Sequence, residues 1–537
     1  MKVDLTLYQL LKKKAALYNE RNALLFRGKY LTYEELITKI DYLASGLNTL
    51  GLRKGDTITF ALPNVFEAVF GFYASSKLGL ICHMVHPMTP VKQMKNHMDS
   101  TNSKTLVVLD NFYNHYSKLL SDDKIKLYLV NPMTEFSGVM KLIYRLLNFT
   151  KLNNIKYNSQ VHKFSDLYEK NDISIANINP LSSAVYLHSG GTSGKPKTIE
   201  LSHSSINYLA SQIGYIMGVD DFNNKHMLAV LPMFHGFGLC MGIHSMLVSG
   251  GVNTLMPKFS AKETIKLIAK NQINYIIGVP SLFESLLKNP KFNSPKMKYI
   301  DQAFVGGDYV SMDLKKRFDN QMIKNNSLAR LLEGYGLTEV VTVCTVNTLK
   351  EHNQLSVGKP LPGIEVRIKD LQSDKLLAAN KDGEIIVTGP TVMNGYLNDK
   401  EATKNTFFTY EDKTWVKTGD LGFIDENGYL HYKQRLKRII KVLGIPVLPA
   451  EIENLLMDFN EVSEVCAISV PDKEKGNVVK LFIAWNNPAK KLSDKKIKQI
   501  IKDNLSNYAV PKEIVELEEL PKTMIGKTDV LALEKMK

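Results

Sequence analysis

Y-L-H-S-G-G-T-S-G-K-P-K-T-I-E-L-S-H, at residues 186–203, is the segment that best indicates the fold of this chain. The apolar residues 184–187 predict a strand, and Ser202 predicts the start of a helix. Between them, glycines allow backbone N–H groups to converge on phosphate oxygens, while hydroxyl and ammonium groups add donors and charge. The candidate phosphate-binding residues are Thr192, Ser193, Gly194, Lys195 and Lys197. The segment therefore predicts a phosphate-binding loop between a strand and a helix, with an ordinary turn as the alternative.

The rest of the chain predicts an α/β protein with more than one domain. Its 537 residues exceed the roughly 250 to 300 residues at which a single hydrophobic core stops growing. Apolar residues at three- and four-residue spacing predict a helix over 33–50. Apolar runs predict buried strands at 57–62, 274–279 and 299–305. The alternation of helices and strands indicates α/β layers.

The character of the sequence changes twice in its C-terminal part. After about residue 358, short strand patterns separated by Gly, Asn and Asp turns predict a small β-barrel at about 358–433. From residue 434, a helix, two strands and a helix capped by Ser493 predict an α+β domain. The expected elements are strands at 366–368, 383–388, 429–432, 465–470 and 478–485, and a helix at 451–457. We therefore expect a large N-terminal part of several subdomains at 1–433 and a small C-terminal domain at 434–537.

Charge and composition indicate which partners and which cellular compartment to expect. The net charge of +14 either attracts a polyanion or reflects lysines spread over solvated faces. No run of five or more basic residues indicates a nucleic-acid-binding arm, so no nucleic acid is expected as a partner. The four cysteines are widely scattered, and the N-terminus lacks the apolar core of a signal peptide. These features predict a cytoplasmic protein.

Two apolar stretches raise the question of a membrane. Residues 227–257 contain no Asp, Glu, Lys or Arg and are long enough to span a bilayer, but Pro232 and several glycines favour a buried core. Residues 136–152 combine apolar side chains with Lys141, Arg145 and Lys151, the composition of an interfacial helix. A core or lid helix is the alternative for this second stretch. Peripheral contact with the inner face of the membrane is therefore a hypothesis.

Seven motifs, in order along nearly the whole chain, resemble those of the adenylate-forming superfamily. This superfamily includes acyl-CoA synthetases, firefly luciferase and the adenylation domains of peptide synthetases. S-G-G-T-S-G-K-P-K, at 189–197, resembles its phosphate loop. The other motifs are L-P-M-F-H-G-F-G at 231–238, G-G-D at 306–308, E-G-Y-G-L-T-E at 333–339, T-G-D at 418–420, Q-R-L-K-R at 434–438 and P-K-T-M-I-G-K at 521–527. The chain is therefore identified as a member, with an AMP-binding adenylation domain at 1–433 and a mobile associated domain at 434–537.

The resemblance implies a role for each matching residue. The catalytic residues would be Thr338, Glu339, His235 and Lys527, with Glu339 also binding magnesium and His235 bordering the acyl pocket. Besides the phosphate loop, the nucleotide would contact Gly306, Gly307, Asp308, Tyr335, Gly336, Asp420 and Arg435. Arg438 would lie at the hinge between the domains. The implied ligands are ATP, Mg²⁺, coenzyme A and a small carboxylic acid.

The chemistry of adenylate formation requires these residue types. A carboxylate that attacks the α-phosphorus of ATP meets an anionic centre, so the transition state needs positive charge and hydrogen-bond donors. Lys527 can lie between the two anions, and Thr338 can hydrogen-bond the α-phosphate. Glu339 offers a hard oxygen donor to a hard cation. Asp420 can accept hydrogen bonds from two ribose hydroxyls, and Tyr335 offers a face to adenine.

The hinge departs from the family pattern. Arg438 stands where Asp or Lys is usual, and Gln434 replaces the usual Gly before Arg435. Thr198 likewise replaces a common Gly after the phosphate loop. The energetics of the hinge is therefore the family property that transfers least to this chain.

We predict a coenzyme A ligase for a fatty acid of medium or long chain. The segment around His235 resembles that of acyl-CoA synthetases, and M-F-H-G at 233–236 lacks the Asp with which amino-acid activators hold an amine. Two alternatives remain: an enzyme that loads a separate acyl carrier protein, and a non-catalytic nucleotide-binding regulator. Retention of Glu339, Asp420 and Lys527 argues against the regulator.

Overall fold

Two large sheets, each with a run of six parallel strands, form most of the N-terminal part in a computed structural model. The structure describes residues 4–171, 173–189, 197–472, 474–523 and 527–536. Within these residues the first sheet has nine strands, in the spatial order Lys359–Pro360, Thr345–Val346, Leu331–Tyr335, Gln302–Val305, Tyr275–Gly278, His226–Ala229, Val252–Leu255, Asn22–Phe26 and Lys29–Thr32. The second, counted over the same ranges, has eight: Gly395–Tyr396, Thr198–Ser202, Ser183–His188, Ile81–Met84, Thr57–Ala61, Thr105–Leu109, Lys126–Val130 and Val161–Lys163.

Helices alternate with these strands, as the sequence predicts. The α-helices of this part are Leu7–Tyr18, Tyr33–Asn48, Phe66–Leu78, Val91–Ser100, Tyr113–Tyr116, Gly138–Leu147, Phe149–Leu152, His203–Ser211, Ile213–Met217, Ser245–Leu247, Ala261–Asn271, Pro280–Leu287 and Met312–Lys324. The predicted helix at 33–50 is Tyr33–Asn48, whose start is fixed by a capping box between Thr32 and Glu35. Leu36, Ile40, Leu43 and Leu47 on one of its faces are fully buried. The three predicted strands are Thr57–Ala61, Tyr275–Gly278 and Gln302–Val305.

The uncharged stretch 227–257 folds as buried core rather than as one long helix. It comprises two strands of the first sheet, a π-helix at Phe237–His244 and a short helix at Ser245–Leu247. Leu239, Ile243 and Met246 are completely buried. Over the described part of the chain, no helix has the length and apolar character to cross a membrane.

An antiparallel sheet and a small α+β domain complete the chain. The antiparallel sheet has five strands among the residues described: Glu365–Lys369, Gly383–Thr388, Lys413–Ile424, Phe407–Tyr410 and Leu430–Arg435, with the helix Lys400–Thr406 beside it. The C-terminal elements are a hairpin of Ile440–Val442 and Ile445–Val447, a sheet of Val462–Asp472, Gly476–Trp485 and Glu513–Glu516, and the helices Pro449–Met457, Asp494–Asn504 and Val530–Glu534. Ser493 caps Asp494–Asn504, as predicted, by accepting a hydrogen bond from the N–H of Lys496.

The α/β class, with a large N-terminal part and a small C-terminal domain, is confirmed. The largest apolar cluster contains side chains from both large sheets and from the five-stranded sheet, among them Leu24, Val107 and Val387. A separate cluster, including Leu481 and Ile497, forms the core of the C-terminal domain. The boundaries 1–433, 358–433 and 434–537 stay predictions, and the last strand of the five-stranded sheet continues to Arg435.

Candidate active site

The predicted motifs follow the carboxyl ends of parallel strands. Gln302–Val305 leads into Gly306, Leu331–Tyr335 leads into Gly336, and Ser183–His188 leads into the phosphate loop. Loops at the carboxyl ends of parallel strands meet at one edge of a sheet, which is where ligands of α/β proteins bind. The first sheet therefore brings Gly306 and Gly336 to the same edge, because their strands are parallel neighbours, whereas the phosphate loop follows a strand of the second sheet.

The two ends of the phosphate loop lie side by side. The N–H of Ser189 donates to the carbonyl of Lys197 at 3.0 Å, and the N–H of Lys197 donates to Ser189 Oγ at 3.1 Å. The Lys197 ammonium lies 4.3 Å from the centroid of the Tyr396 ring, a cation–π distance. The other predicted loop residues, Thr192, Ser193, Gly194 and Lys195, lie outside the described residues.

Tyr396 connects Lys197 to Glu339. Its hydroxyl donates to Glu339 Oε1 at 2.8 Å, and the N–H of Met393 donates to the Glu339 carbonyl at 2.9 Å. Burial, followed by the nearby Glu339 carboxylate, raises the pKa of Tyr396, so this hydroxyl stays protonated and remains a donor. No sequence motif marks Tyr396, because the pairing of its strand with Thr198–Ser202, Tyr396 opposite Ile199, brings it to the site.

Glu339 fits a magnesium site that the nucleotide would complete. Among the residues that the structure places, no group of three or more His, Cys, Asp or Glu could hold a metal ion. Mg²⁺ is commonly bound by one or two carboxylates together with water and substrate phosphates. The Glu339 carboxylate, oriented by Tyr396, is a donor of that kind.

Asp420 is the centre of a buried polar group in the candidate site. Its carboxylate is only 1% exposed, accepts a hydrogen bond from the Tyr335 hydroxyl at 2.5 Å, and lies 3.1 Å from Arg435 Nε. Arg435 also donates to the carbonyl of Thr418 at 3.0 Å. Burial raises the pKa of Asp420 to about 6, although Arg435 and Tyr335 act in the opposite direction. The Tyr432 ring, also missed by sequence analysis, lies 5.6 Å from that of Tyr335.

Close backbone approaches fix the loop that carries Thr338 and Glu339. The 3₁₀ turn Thr338–Val340 is followed by Val341 at φ +70°, a left-handed conformation that strains a β-branched residue. A Cβ on Gly236 would lie 2.0 Å from the Val341 carbonyl oxygen. Only glycine therefore fits beside this turn, and the segment containing His235 is held against it. A Cβ on Gly336 would similarly lie 1.7 Å from the Thr342 carbonyl oxygen.

Lys527 reaches this site from the C-terminal domain. Its Nζ lies 3.9 Å from the position that a Cβ on Gly307 would occupy, next to Gly306 and Asp308. Burial lowers the pKa of Lys527, while the carboxylates of Asp308 and Asp420 act to raise it. Burial also lowers the pKa of His235 to about 4, with Lys527 adding to the effect, so this imidazole is neutral. Its Nδ1 accepts a hydrogen bond from the N–H of Phe237 at 3.3 Å.

Arg438, the predicted hinge residue, contacts the C-terminal domain. Its guanidinium donates to both carboxylate oxygens of Glu453, at 3.2 and 2.5 Å, and to the carbonyl of Ala467 at 3.2 Å. A bidentate pair of this kind holds the guanidinium in one orientation. The hinge role itself stays a prediction.

A group of three histidines lies beside the phosphate loop and has no counterpart among the predicted residues. His188 ends the strand before the loop, its Nε2 lies 2.8 Å from His83 Nε2, and its ring centroid lies 3.8 Å from that of His97. Burial lowers the pKa of His188 to about 3 and that of His97 to about 4. These two rings are therefore neutral and add no charge where the strand Ser183–His188 ends. No sequence motif marks them, since they come from separate elements.

Comparison with known proteins agrees with this fold. The family described as AMP-binding enzyme matches residues 11–397, and the AMP-binding enzyme C-terminal domain matches residues 451–527. The chain therefore belongs to the family of AMP-binding enzymes.

Relatives and solved structures cover almost the whole chain. A long-chain-fatty-acid–CoA ligase of Bacillus subtilis is 28% identical over 529 residues, which are 97% of this chain and 93% of the relative. A 4-coumarate–CoA ligase 1 of Solanum tuberosum is 27% identical over 519 residues, 95% of this chain and 90% of the relative. ATP-bound MatB from Rhodopseudomonas palustris, 21% identical, matches the fold with a TM-score of 0.85 over 99% of each chain.

The raised pKa of Asp420 predicts how nucleoside binding depends on pH. Adenosine, which has no phosphate to titrate, should bind more weakly as the pH falls through about 6, because a protonated Asp420 is a poorer acceptor for ribose hydroxyls. The free energy of unfolding should change with pH in the opposite direction to binding. Because folding raises the pKa of Asp420, this group contributes stability at low pH that is lost as the pH rises through about 6. Asp420→Asn should weaken binding at neutral pH by about tenfold and remove this pH step. Calorimetric titration with adenosine across pH 5 to 8 measures binding in the wild type and in Asp420→Asn, and thermal unfolding across the same range measures stability. A pH step in adenosine binding that persists in Asp420→Asn would contradict the assignment.

Proposed function

We propose that this chain, an AMP-forming acid–thiol ligase by family, joins a medium- or long-chain fatty acid to coenzyme A through an acyl-adenylate. The observation that supports this most strongly is the position of the Lys527 ammonium against Gly307, in the electrostatic field of Asp308 and Asp420. One cation from the C-terminal domain thereby faces the nucleotide-binding loops of the N-terminal part. This is the arrangement that adenylation of a carboxylate needs.

The first half-reaction joins the acid to AMP. A carboxylate oxygen forms a bond to the α-phosphorus, and the bond from that phosphorus to the pyrophosphate oxygen breaks. Lys527 would lie between the two anions, whose mutual repulsion grows as water is excluded. Thr338 would donate to the α-phosphate, and Asp420 would accept from the ribose. Glu339 would help to hold a magnesium ion, which would supply positive charge to the phosphates of ATP.

The second half-reaction transfers the acyl group to the thiol. The thiol sulfur forms a bond to the acyl carbon as the carbon–oxygen bond to AMP breaks, AMP leaves with the electron pair, and the thiol proton passes to water. The pantetheine arm would need the space beside the adenylate that Lys527 would occupy in the first half-reaction. Rotation of the C-terminal domain would clear it. Arg435 is tied to Asp420 in the N-terminal part, whereas Arg438 is tied to Glu453 in the C-terminal domain. These contacts favour a pivot between residues 435 and 438.

Three observations support a fatty acid as the substrate. The segment before and after His235, residues 227–257, has no charged residue, so it offers no partner to a substrate ammonium. The His235 imidazole is neutral and lies in an apolar turn that includes Phe234. The Bacillus subtilis relative is named a long-chain-fatty-acid–CoA ligase. The Solanum tuberosum relative, named for 4-coumarate, makes aryl acids the competitor to test.

Substrate class is tested by acid-dependent release of pyrophosphate. We expect release with fatty acids of medium and long chain to exceed that with 4-coumarate, benzoate and amino acids by at least about tenfold, because burying additional methylenes favours the longer chain. Mass measurement of the product should show the coenzyme A thioester. Stronger release with aryl acids would contradict the fatty-acid assignment, and thioester formed only on a holo-carrier protein would identify that acceptor instead.

Glu339→Gln tests the magnesium site. The substitution keeps the size of the side chain and removes its charge, so adenylation should fall about a hundredfold or more and the Mg²⁺ concentration for half-maximal rate should rise. Tyr396→Phe, which removes only the hydroxyl that orients Glu339, should raise the same Mg²⁺ requirement by a smaller factor. The measurement is pyrophosphate release against Mg²⁺ concentration. Wild-type Mg²⁺ dependence in Glu339→Gln would show that the metal is held elsewhere.

Lys527→Ala should separate the two half-reactions. Acid-dependent pyrophosphate release should be nearly abolished, because the cation between the two anions is lost. Supplied acyl-adenylate and coenzyme A should still give thioester at a substantial fraction of the wild-type rate. Lys522→Ala, which removes a lysine paired with Glu464 on the same domain, serves as the matched control and should retain both activities. If folded Lys527→Ala lost both half-reactions equally, the alternating role of the domain would be wrong.

A further inference from the structure

Helix Gly138–Leu147 exposes an apolar face to solvent. Val139, Leu142, Ile143, Leu146 and Leu147 recur at the three- and four-residue spacing of one helical face, and all five are exposed. Leu146 is 65% exposed and Leu147 is 80% exposed. The face continues at Phe149, which opens the next helix, Phe149–Leu152. Neither helix has a buried residue, although a helix with this spacing ordinarily turns its apolar face to a core.

The orientation of this helix is fixed by the opposite side. Met140 and Tyr144 pack against the main core, and the Tyr144 hydroxyl donates to Asp110. At the end of the helix, Asn111 Nδ2 donates to Asn148 Oδ1 at 3.4 Å. The helix Gly138–Leu147 is therefore packed against the protein by one side while its leucines face solvent. It is not a core helix, which was one alternative for residues 136–152.

The same surface carries positive charge. Between Glu135 and Asp166 the sequence contains no acidic residue. Lys141, Arg145 and Lys151 are exposed, and Lys156 follows closely on the same surface segment. Glu135 does not neutralise them, because its carboxylate is paired with Lys29 and Lys39. The apolar face is thus flanked by cations, and residues 136–165 contain no carboxylate that could neutralise them.

We propose that the helices Gly138–Leu147 and Phe149–Leu152 form a docking surface for a lipid bilayer that contains anionic phospholipids. Aliphatic and aromatic side chains would enter the boundary between headgroups and acyl chains, while Lys141, Arg145 and Lys151 contact the phosphates. A second copy of the chain is a poorer occupant, because pairing the two faces would bring cations against cations away from water. This proposal does not depend on which acid the enzyme activates.

Co-sedimentation of the full chain with vesicles tests the proposal. The protein should bind vesicles of phosphatidylcholine with about 30% phosphatidylglycerol, and bind several-fold less to phosphatidylcholine alone or at about 0.5 M salt. Leu142→Ser, Leu146→Ser and Leu147→Ser combined should reduce binding to the anionic vesicles at least about tenfold. Lys141→Gln with Arg145→Gln should reduce both binding and its salt dependence. Because all these residues are exposed, the melting temperature should not change.

A matched control uses three exposed aliphatic residues elsewhere. Ile323, Leu355 and Leu328 are 66%, 73% and 90% exposed, and their combined change to Ser should leave vesicle binding unaltered. The proposal is overturned if the wild-type protein does not sediment with anionic vesicles, or if the control loses binding as much as the leucine variant. It is also overturned if sedimentation equilibrium shows a dimer that the leucine variant dissociates, since the face would then bind a second copy.

Discussion

The burial of one ammonium group, that of Lys527, links the two parts of this protein. Removing a cation from water is costly unless anions compensate for it, and burial lowers the pKa of Lys527 despite the opposing effect of Asp308 and Asp420. Anions bound beside Lys527 would therefore favour this position of the C-terminal domain. Phosphate and carboxylate anions would complete the compensation that the two aspartates begin. Conversion of the carboxylate into the acyl-adenylate, with departure of pyrophosphate, would weaken that compensation.

The N-terminal part supplies a rigid frame for that exchange. Its two large, mostly parallel sheets and the five-stranded sheet share one apolar cluster, so the loops at their strand ends are held in fixed relation. The strain of Val341 and the close approach of Gly236 to its carbonyl are tolerated because the surrounding core determines both. In the polar group of Tyr335, Asp420 and Arg435, adjacent strands of the five-stranded sheet place Asp420 directly opposite Arg435, and Tyr335 comes from the first large sheet. Rigid loops on one side and a separate small core on the other are the conditions under which a domain can move as a unit.

Much of this fold follows from local patterns in the sequence. The helix at 33–50 and the strand at 383–388 are predicted by periodicity and turn residues, because burial of one face requires that spacing whatever the tertiary structure. The candidate site is only partly predictable in this way. Tyr396 reaches Glu339 through the pairing of its strand with Thr198–Ser202, almost two hundred residues earlier in the chain, and His83, His97 and His188 meet through three separate elements. Such contacts depend on topology, which no local pattern encodes.

The contacts of Arg438 explain how an arginine can stand at this position of the predicted hinge. A cation at position 438 would be costly if it stayed between the domains through a rotation, because it would have to exchange partners at each step. The Arg438 guanidinium avoids this cost by pairing with Glu453 and the Ala467 carbonyl, both within the C-terminal domain. Arg435, three residues earlier, keeps its partners Asp420 and Thr418 in the N-terminal part. Each charge can thus retain its own partners while the backbone between them turns, so a change of residue at 438 is compatible with an alternating domain.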